Sequence, residues 1–254
     1  MKMSHIRLLL LTIIALPGCT KKDPETISCE GILNATVYAN SPITIGQKLI
    51  FGTQEINGYR VYNWTGPNNY QTNVAKDSVV YVELKNEGWY YMTVFNPNGT
   101  CIKSDSVYVD VLLQQGTAPC TINNNNTNYN NQGNDTYSAV KKYIDPNFSQ
   151  KTLAATGSGT NMTVYFHTHW RNAEPEDGIY TTVNTPVFDQ ADYGYNKVFI
   201  TTTKSSVYWS SNEGQKVYVS HVGSKLQVKF CNLSMGGNNG VSLTTVASGN
   251  LLEQ

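Results

Sequence analysis

Short runs of strand-forming residues, separated by strong turn formers, constrain the fold of this chain more than any other feature of its sequence. Tyr occurs 17 times, and Tyr, Thr and Val favour half-buried strands, whereas Asn and Gly favour turns. The runs recur at about ten-residue spacing and show no helical period of apolar residues. The sequence therefore predicts an all-β fold. The strongest turn formers are Asn57-Gly58, Gly66-Pro67-Asn68-Asn69, Asn86-Glu87-Gly88 and Asn96-Pro97-Asn98-Gly99.

The predicted strands fall into two groups, separated by an Asn-rich segment. In the first group, Val107, Val109 and Val111 alternate with other residues, which is typical of a strand with one side on a core. In the second group, the Gly223-Ser224 turn predicts a hairpin. We interpret Tyr137–Tyr143 as a strand or a single helical turn. The other predicted strands are Leu33–Tyr38, Lys48–Gln54, Tyr59–Trp64, Val79–Leu84, Trp89–Phe95, Ser106–Leu112, Met162–Trp170, Gly178–Val183, Lys197–Thr203, Ser206–Ser210, Lys216–His221, Lys225–Cys231 and Gly240–Ala247.

The Asn-rich segment, at residues 114–135, has almost no apolar side chains to bury, and we predict that it is a linker or loop. Strands at about ten-residue spacing without helical periods indicate sandwiches. We therefore predict one β-sandwich domain at residues 28–113. A second, jelly-roll-like β-sandwich is predicted at residues 136–254, with Cys120 pinning its start.

The N-terminus has the features of an export signal. Lys2, His5 and Arg7 precede the apolar run Leu8–Leu16. That run is about 9 residues long, against roughly 20 for a membrane-spanning helix, so it is not a membrane anchor by itself. The run ends in Leu16-Pro17-Gly18-Cys19, which resembles the lipobox of bacterial lipoproteins.

This resemblance implies that residues 1–18 are a cleaved signal peptide and that Cys19 carries the lipid. Several acyl chains hold a protein on a membrane where one chain holds it only marginally. Thr20-Lys21-Lys22-Asp23 resembles the tether of surface-exported lipoproteins of Bacteroidota, which implies a tether at residues 19–27 and a place on the outer membrane at the cell surface. The alternatives are a periplasm-facing lipoprotein and an ordinary secretory signal with an unrelated Cys19.

Cysteine usage agrees with an exported chain. Cys29, Cys101, Cys120 and Cys231 remain besides Cys19, and four cysteines allow three pairings. No Cys-x-x-Cys spacing is present, so the cysteines do not indicate a zinc site or a redox motif. The pairs Cys29–Cys101 and Cys120–Cys231 each lie within one predicted domain, and we predict those two disulfides.

Three motifs occur in order in the first group of strands. They are Tyr62-Asn63-Trp64-Thr65-Gly66-Pro67-Asn68, then Gly88-Trp89-Tyr90-Tyr91-Met92-Thr93-Val94, and then Asn98-Gly99-Thr100-Cys101 with Ser106-Val107-Tyr108-Val109-Asp110-Val111. Together they resemble the PKD-like and immunoglobulin-like repeats of Bacteroidota surface proteins. The resemblance implies a disulfide between the hairpin cysteine, here Cys101, and one near the domain start, here Cys29. Thr100 and Met92 depart from the family pattern. Such repeats are mostly spacers and adhesion modules.

His167 and His169 are the candidates for metal ligands, because alternate residues of a strand share a face. Carboxylates or a third histidine would complete such a site, and Glu174, Glu176, Asp177 and His221 are the residues available. The alternative is that both histidines face solvent while Phe166, Thr168 and Trp170 face inward. We predict that no metal and no other cofactor is bound.

Aromatic residues of the second domain are the remaining signal. Exposed aromatic rings stack on sugars or anchor protein partners, and Tyr193, Tyr195 and Trp209 are the candidates for such contacts. The alternative is that these rings pack in the core or on the sheet face. The aromatic residues concerned are Trp170, Tyr180, Tyr193, Tyr195, Tyr208 and Trp209.

No sequence feature indicates catalysis or nucleic-acid binding. Eighteen Lys and Arg balance eighteen Asp and Glu, so no net positive charge would attract a polynucleotide. No nucleophile elbow, P-loop or metalloprotease motif is present. We expect a non-catalytic cell-envelope lipoprotein that is held on the membrane by its lipid and meets an extracellular protein or glycan in adhesion or another surface interaction. The alternatives are a carbohydrate-binding lipoprotein of a nutrient-uptake system and a secreted hydrolase with an unrecognised site.

Overall fold

Strands dominate the computed structural model, which describes residues 29–56, 60–146, 150–167, 174–186 and 196–254. In this part of the chain the helical elements are α1 (Glu30–Leu33) and one 3₁₀ turn (Leu84–Asn86). The predicted all-β class is confirmed, and the several sheets agree with the β-sandwich class. We call residues 29–112 the first region and residues 126–254 the second region, because no sheet formed by the described residues contains strands of both.

The first region holds three sheets. One has the strand order β1-β3-β6, one has the order β5-β4-β7-β8, and β2 pairs with β9 in parallel. The strands are β1 (Val37–Ala39), β2 (Ile43–Thr44), β3 (Leu49–Thr53), β4 (Val61–Gly66), β5 (Tyr70–Thr72), β6 (Lys76–Val79), β7 (Gly88–Phe95), β8 (Ile102–Val109) and β9 (Val111–Leu112).

The core of the first region is aromatic. The ring of Phe51 lies 5.2 Å from that of Trp64 and 4.9 Å from that of Tyr90, centroid to centroid. The indole N–H of buried Trp64 donates to the Val74 carbonyl at 3.0 Å, so the one polar atom of this ring is satisfied. These rings face inward because they alternate along their strands with exposed residues.

Two predicted strands of the first region are wrong in part. The segment Leu33–Tyr38 begins in α1, and only its last two residues are in β1. The segment Val79–Leu84 keeps only its first residue in a strand. It ends in the 3₁₀ turn, which a reciprocal cap stabilises. The Asn86 side chain accepts a hydrogen bond from the backbone N–H of Glu83 at 2.8 Å, and the Glu83 side chain accepts one from the backbone N–H of Asn86.

The described residues of the second region form one ten-stranded sheet that closes on itself. Its neighbours run from β13 through β12, β11, β10, β19, β18, β16 and β15 back to β13, while β14 and β17 extend it between β15 and β18. The strands are β10 (Asn126–Tyr129), β11 (Gly133–Asp145), β12 (Gln150–Gly157), β13 (Thr160–His167), β14 (Gly178–Thr182), β15 (Lys197–Lys204), β16 (Val207–Ser211), β17 (Lys216–Val222), β18 (Lys225–Asn238) and β19 (Ser242–Leu252).

Strand β18 takes part in both halves of this closed sheet. Its first half pairs with β17 and its second half with β16, and its register against β19 shifts between Phe230 and Leu233. A strand that bends at a bulge and changes partners is how orthogonally packed sheets are joined at a corner. The predicted hairpin at Gly223-Ser224 is confirmed, since Val222 pairs with Lys225.

The sequence predicted that the Asn-rich segment is a linker or loop, but part of this segment forms strands. Its residues 126–129 form β10, which pairs with β11 on one side and β19 on the other, and β11 begins at Gly133. Thr127 and Tyr129 point inward and are buried. Its partner β11 follows at once, but β19 lies more than a hundred residues away, and three of the four residues of β10 are Asn or Thr, so the composition alone did not mark this segment as a strand.

Both predicted disulfides are present. Cys29 is bonded to Cys101 with their Cα atoms 5.5 Å apart, and Cys120 is bonded to Cys231 at 5.8 Å. Cys120 thus attaches the segment before β10 to the middle of β18. Each bond closes a loop within one region, or between its leading segment and its sheet.

Candidate binding surface

An exposed aromatic face on the sheet β5-β4-β7-β8 is the main candidate for a functional site. Trp89, Tyr91 and Tyr108 are 50%, 54% and 43% exposed. They share one face because Tyr90 and Met92, the alternate residues of β7, are buried in the core. A soluble protein rarely exposes several large rings side by side without a use for them.

The three rings form one contiguous group. Trp89 and Tyr108 are directly opposite on β7 and β8, with ring centroids 5.5 Å apart in an edge-to-face arrangement. Trp89 and Tyr91 are two residues apart on β7, and their rings lie 6.4 Å apart with planes inclined by 29°. The Trp89 ring therefore touches both neighbours, and the group presents a broad apolar platform.

Small polar side chains continue this face beyond Tyr91. The strand register places Ser106 and Thr65 on either side of Tyr91, and Asn63 and Ser104 on either side of Thr93. The hydroxyls of Thr93 and Ser104 are 3.0 Å apart. We call these five polar residues and the three rings the aromatic face.

Two carboxylates lie at the Tyr108 end of the aromatic face. The Tyr108 hydroxyl donates to Glu87 Oε1 at 3.1 Å, and the N–H of Val111 donates to Glu87 Oε2 at 3.4 Å. Asp110 is exposed and follows Tyr108 by two residues. Partial burial raises the pKa of Tyr108, and the negative charges of Glu87, Asp110 and Glu176 add to the rise. The hydroxyl stays protonated and holds Glu87 in place.

Trp209, predicted as a binding residue, is a core residue. It is 1% exposed on the inner face of β16, and its ring packs against Gly237 of the neighbouring strand β18. Its neighbour Tyr208 is the outward residue, at 52% exposure. Tyr193 and Tyr195, the other two candidates, lie outside the described residues, as does the predicted lipid site Cys19.

The predicted histidine pair is only partly described, because His169 lies outside the described residues. The alternative interpretation expected His167 to face solvent. His167 is instead buried at the end of β13. Burial lowers the pKa of His167 to about 4, and the charge of Lys197 acts in the same direction. His167 is therefore neutral at neutral pH.

Other predicted partners do come together, at one end of the closed sheet. His221 Nδ1 lies 2.6 Å from Asp177 Oδ1, and His221 Nε2 lies 3.5 Å from Glu174 Oε1. Lys142 contacts Glu174 at 2.5 Å and Glu253 at 3.3 Å. Desolvation by itself would raise the pKa of Glu174. The hydrogen bond and the positive charge of Lys142 outweigh that effect, and the pKa of Glu174 is lowered. These charges satisfy one another, so the cluster is a structural tie between strands and the C-terminus.

Among the residues that the structure describes, no group of three or more His, Cys, Asp or Glu side chains is arranged to hold a metal ion. A cleft of about 430 Å³ lies beside α1 and mixes charged and amide side chains with small apolar ones. It offers no aromatic ring to a ligand. Its lining residues are Glu30, Gly31, Asn34, Ala35, Gln54, Glu55, Ile56 and Arg60.

The aromatic face was not among the sites predicted from the sequence. The predicted ligand-binding rings belong to the second region, although a signal was present in the first. Met92 and Val94 belong to a predicted strand, and if they face the core, Trp89 and Tyr91 must face away from it.

Comparison with protein-family models and with curated protein sequences finds no match to this chain. In the described part of the chain, no helix has the length and apolar character needed to cross a membrane.

Proposed function

We propose that this protein is a non-catalytic surface lipoprotein that binds glycans on its aromatic face. The observation that carries the proposal is the contiguous group of Trp89, Tyr91 and Tyr108 on an open sheet, continued by small hydroxyl and amide side chains. Its membrane attachment through Cys19, its outer-membrane location and its PKD-like first region are parts of the same proposal.

The chemistry of a sugar chain suits this surface. Sugar rings have apolar faces that stack on aromatic side chains, while their hydroxyls need hydrogen-bond partners at the edge of the stack. The aromatic face supplies both, since Thr93, Ser104 and Ser106 stand beside Tyr91. Trp and Tyr lose little conformational entropy on binding, because each has only two side-chain torsions. An open sheet without a pocket suits an extended polymer rather than a single small molecule.

A glycan array with the detergent-solubilised lipoprotein tests the proposal, followed by titration of the best ligand. We expect Trp89→Ala to weaken the binding of that ligand by about tenfold or more, since removal of a central aromatic anchor costs about 2 kcal/mol or more. The matched control is Tyr81→Ala, which removes a ring that is 75% exposed beyond the end of β6.

Two results would overturn the proposal: no glycan bound by the wild type, or equal loss of binding in Trp89→Ala and Tyr81→Ala. Thermal melting of each variant separates lost binding from lost folding. Lipid labelling of wild type and Cys19→Ala, paired with protease shaving of intact cells, tests the surface attachment independently.

A further inference from the structure

We infer that the aromatic face selects glycans that carry protonated amino groups, such as polymers of glucosamine, over neutral and anionic glycans. The inference rests on the proposed function and names the ligand class for the same site. Its basis is the charge around the Trp89–Tyr108 pair.

Glu87 and Asp110 lie at the Tyr108 end of the aromatic face. Glu87 precedes β7 and accepts a hydrogen bond from the Tyr108 hydroxyl, and Asp110 follows β8 closely enough for its negative charge to raise the pKa of Tyr108. Glu87 is held by the hydroxyl of Tyr108 and the N–H of Val111. The N–H of Asp110 donates to Ser41 Oγ at 2.8 Å, which fixes its backbone.

No cationic side chain belongs to the aromatic face as defined above. Its members are three aromatic rings and five neutral polar residues, so nothing on the face offsets the two carboxylates. Lys85, which is near Glu87 in sequence, is paired with Glu83 at 2.5 Å. Because of this imbalance the Tyr108 end of the face has a negative potential.

An ammonium group on a sugar ring would gain two interactions at this end. A cation over a Trp or Tyr face is attracted by the ring quadrupole, and a carboxylate accepts a charge-assisted hydrogen bond from the same group. A uronate or a sulfate would meet repulsion from Glu87 and Asp110. An N-acetylated sugar would keep the ring stacking but gain neither charge interaction.

The experiment compares glucosamine oligomers, N-acetylglucosamine oligomers of equal length and a polyuronate, by calorimetry with the full lipoprotein in detergent. We expect the amine form to bind about tenfold more tightly than the acetylated form at low salt. That preference should shrink at about 0.5 M salt, because exposed charges are then screened.

Glu87→Gln should reduce the preference for the amine while keeping the binding of the acetylated oligomer. Asp110→Asn is the second variant, in case Glu87→Gln disturbs the turn. Glu213→Gln, which removes the same charge from the exposed turn between β16 and β17, is the matched control and should leave the preference unchanged.

Equal affinity for the amine and acetylated oligomers would overturn the inference and leave the proposed function standing, provided Trp89→Ala still weakens binding about tenfold or more. A preference that persists in both Glu87→Gln and Asp110→Asn would also overturn it. Failure of every glycan to bind would overturn both proposals.

Discussion

Tyr208 and Trp209 are adjacent in the chain but point to opposite faces of β16, so their side chains do different work. Trp209 is buried on the inner face of the sheet and packs against Gly237 of β18, while Tyr208 is exposed on the outer face. We predict that Trp209→Ala lowers the free energy of unfolding by about 3–5 kcal/mol, as large-to-small changes of buried aromatic residues do. Tyr208→Ala should cost about 1 kcal/mol or less. Urea titration followed by circular dichroism measures both.

Gly237 supplies a control for this prediction. A Cβ atom at Gly237 would lie 2.5 Å from the Trp209 ring, so Gly237→Ala should destabilise the wild type. In the Trp209→Ala background the same change should cost less, because the ring that it meets is gone. Strictly additive costs would show that the two residues do not share one packing site.

His167 gives the second region a pH-dependent stability. Its folded pKa, about 4, is lower than its ordinary value of 6.5 because the imidazole is buried. Between these pH values the unfolded chain binds more protons than the folded chain. The contribution of the neutral His167 to the free energy of unfolding is therefore complete above about pH 6.5. It is lost as the pH falls toward 4, by about 3 kcal/mol in total.

Substitution of His167 by Gln should flatten this part of the pH profile relative to wild type. The measurement is the urea midpoint at several pH values between about 4 and 7. The same slope in wild type and variant would place the titration elsewhere. His221→Gln is a control that removes an imidazole from the surface cluster with Asp177 and Glu174.

At the scale of elements, β10 shows how an Asn-rich segment becomes a central strand. It lies between β11 and β19, so a proline within it removes an N–H from one ladder or the other. We predict that Asn128→Pro costs about 1–3 kcal/mol although Asn128 is exposed, because a carbonyl of the ladder loses its donor. Asn123→Pro, in the irregular stretch before the strand, should be much milder. Equal, small effects would mean that the segment is a dispensable loop.

The sequence was sufficient for elements whose partners or patterns are local. The β17–β18 hairpin follows from the Gly223-Ser224 turn, and β7 from its alternation. It was insufficient for β10 and β12. One of the two partners of β10 is the distant strand β19, and β12 is rich in Thr, Ala and Gly, so neither segment has an apolar alternation of its own.

The same distinction applies to the candidate site. That Trp89 and Tyr91 share a face follows from local alternation. The presence of Tyr108 beside Trp89 depends on the β7–β8 register, and the position of Glu87 depends on a bond to Tyr108. Trp209 was misplaced because periodicity alone does not tell which face of a short strand is covered by another strand.

At the scale of the whole molecule, the two regions meet in a short junction. Leu113 is buried, and a Cβ atom at Gly178 would lie 2.5 Å from its Cβ atom. The N–H of Ile179 donates to the Gln114 carbonyl at 2.8 Å, and the Gln115 side chain donates to the Asp177 carbonyl at 2.8 Å. These contacts lie at and just before β14, and among the described residues no strand of one region pairs with a strand of the other.

The disulfides should therefore act region by region. On the chain-entropy view, a bond that closes a loop stabilises by restricting the unfolded chain, by ~4 kcal/mol for Cys29–Cys101 and ~5 kcal/mol for Cys120–Cys231. Their sequence separations are 72 and 111 residues. We predict that the double variant Cys29→Ser, Cys101→Ser loses hydrogen-exchange protection in β7 and β8 while β18 and β19 keep theirs.

The double variant Cys120→Ser, Cys231→Ser should show the reverse, with protection lost in β10, β18 and β19 and kept in β7 and β8. Hydrogen-exchange mass spectrometry on both variants measures this directly, because each region yields its own peptides. Loss of protection throughout the chain in either variant would contradict the prediction. It would mean that the contacts of Leu113, Gln114 and Gln115 with β14 couple the two regions into one cooperative unit.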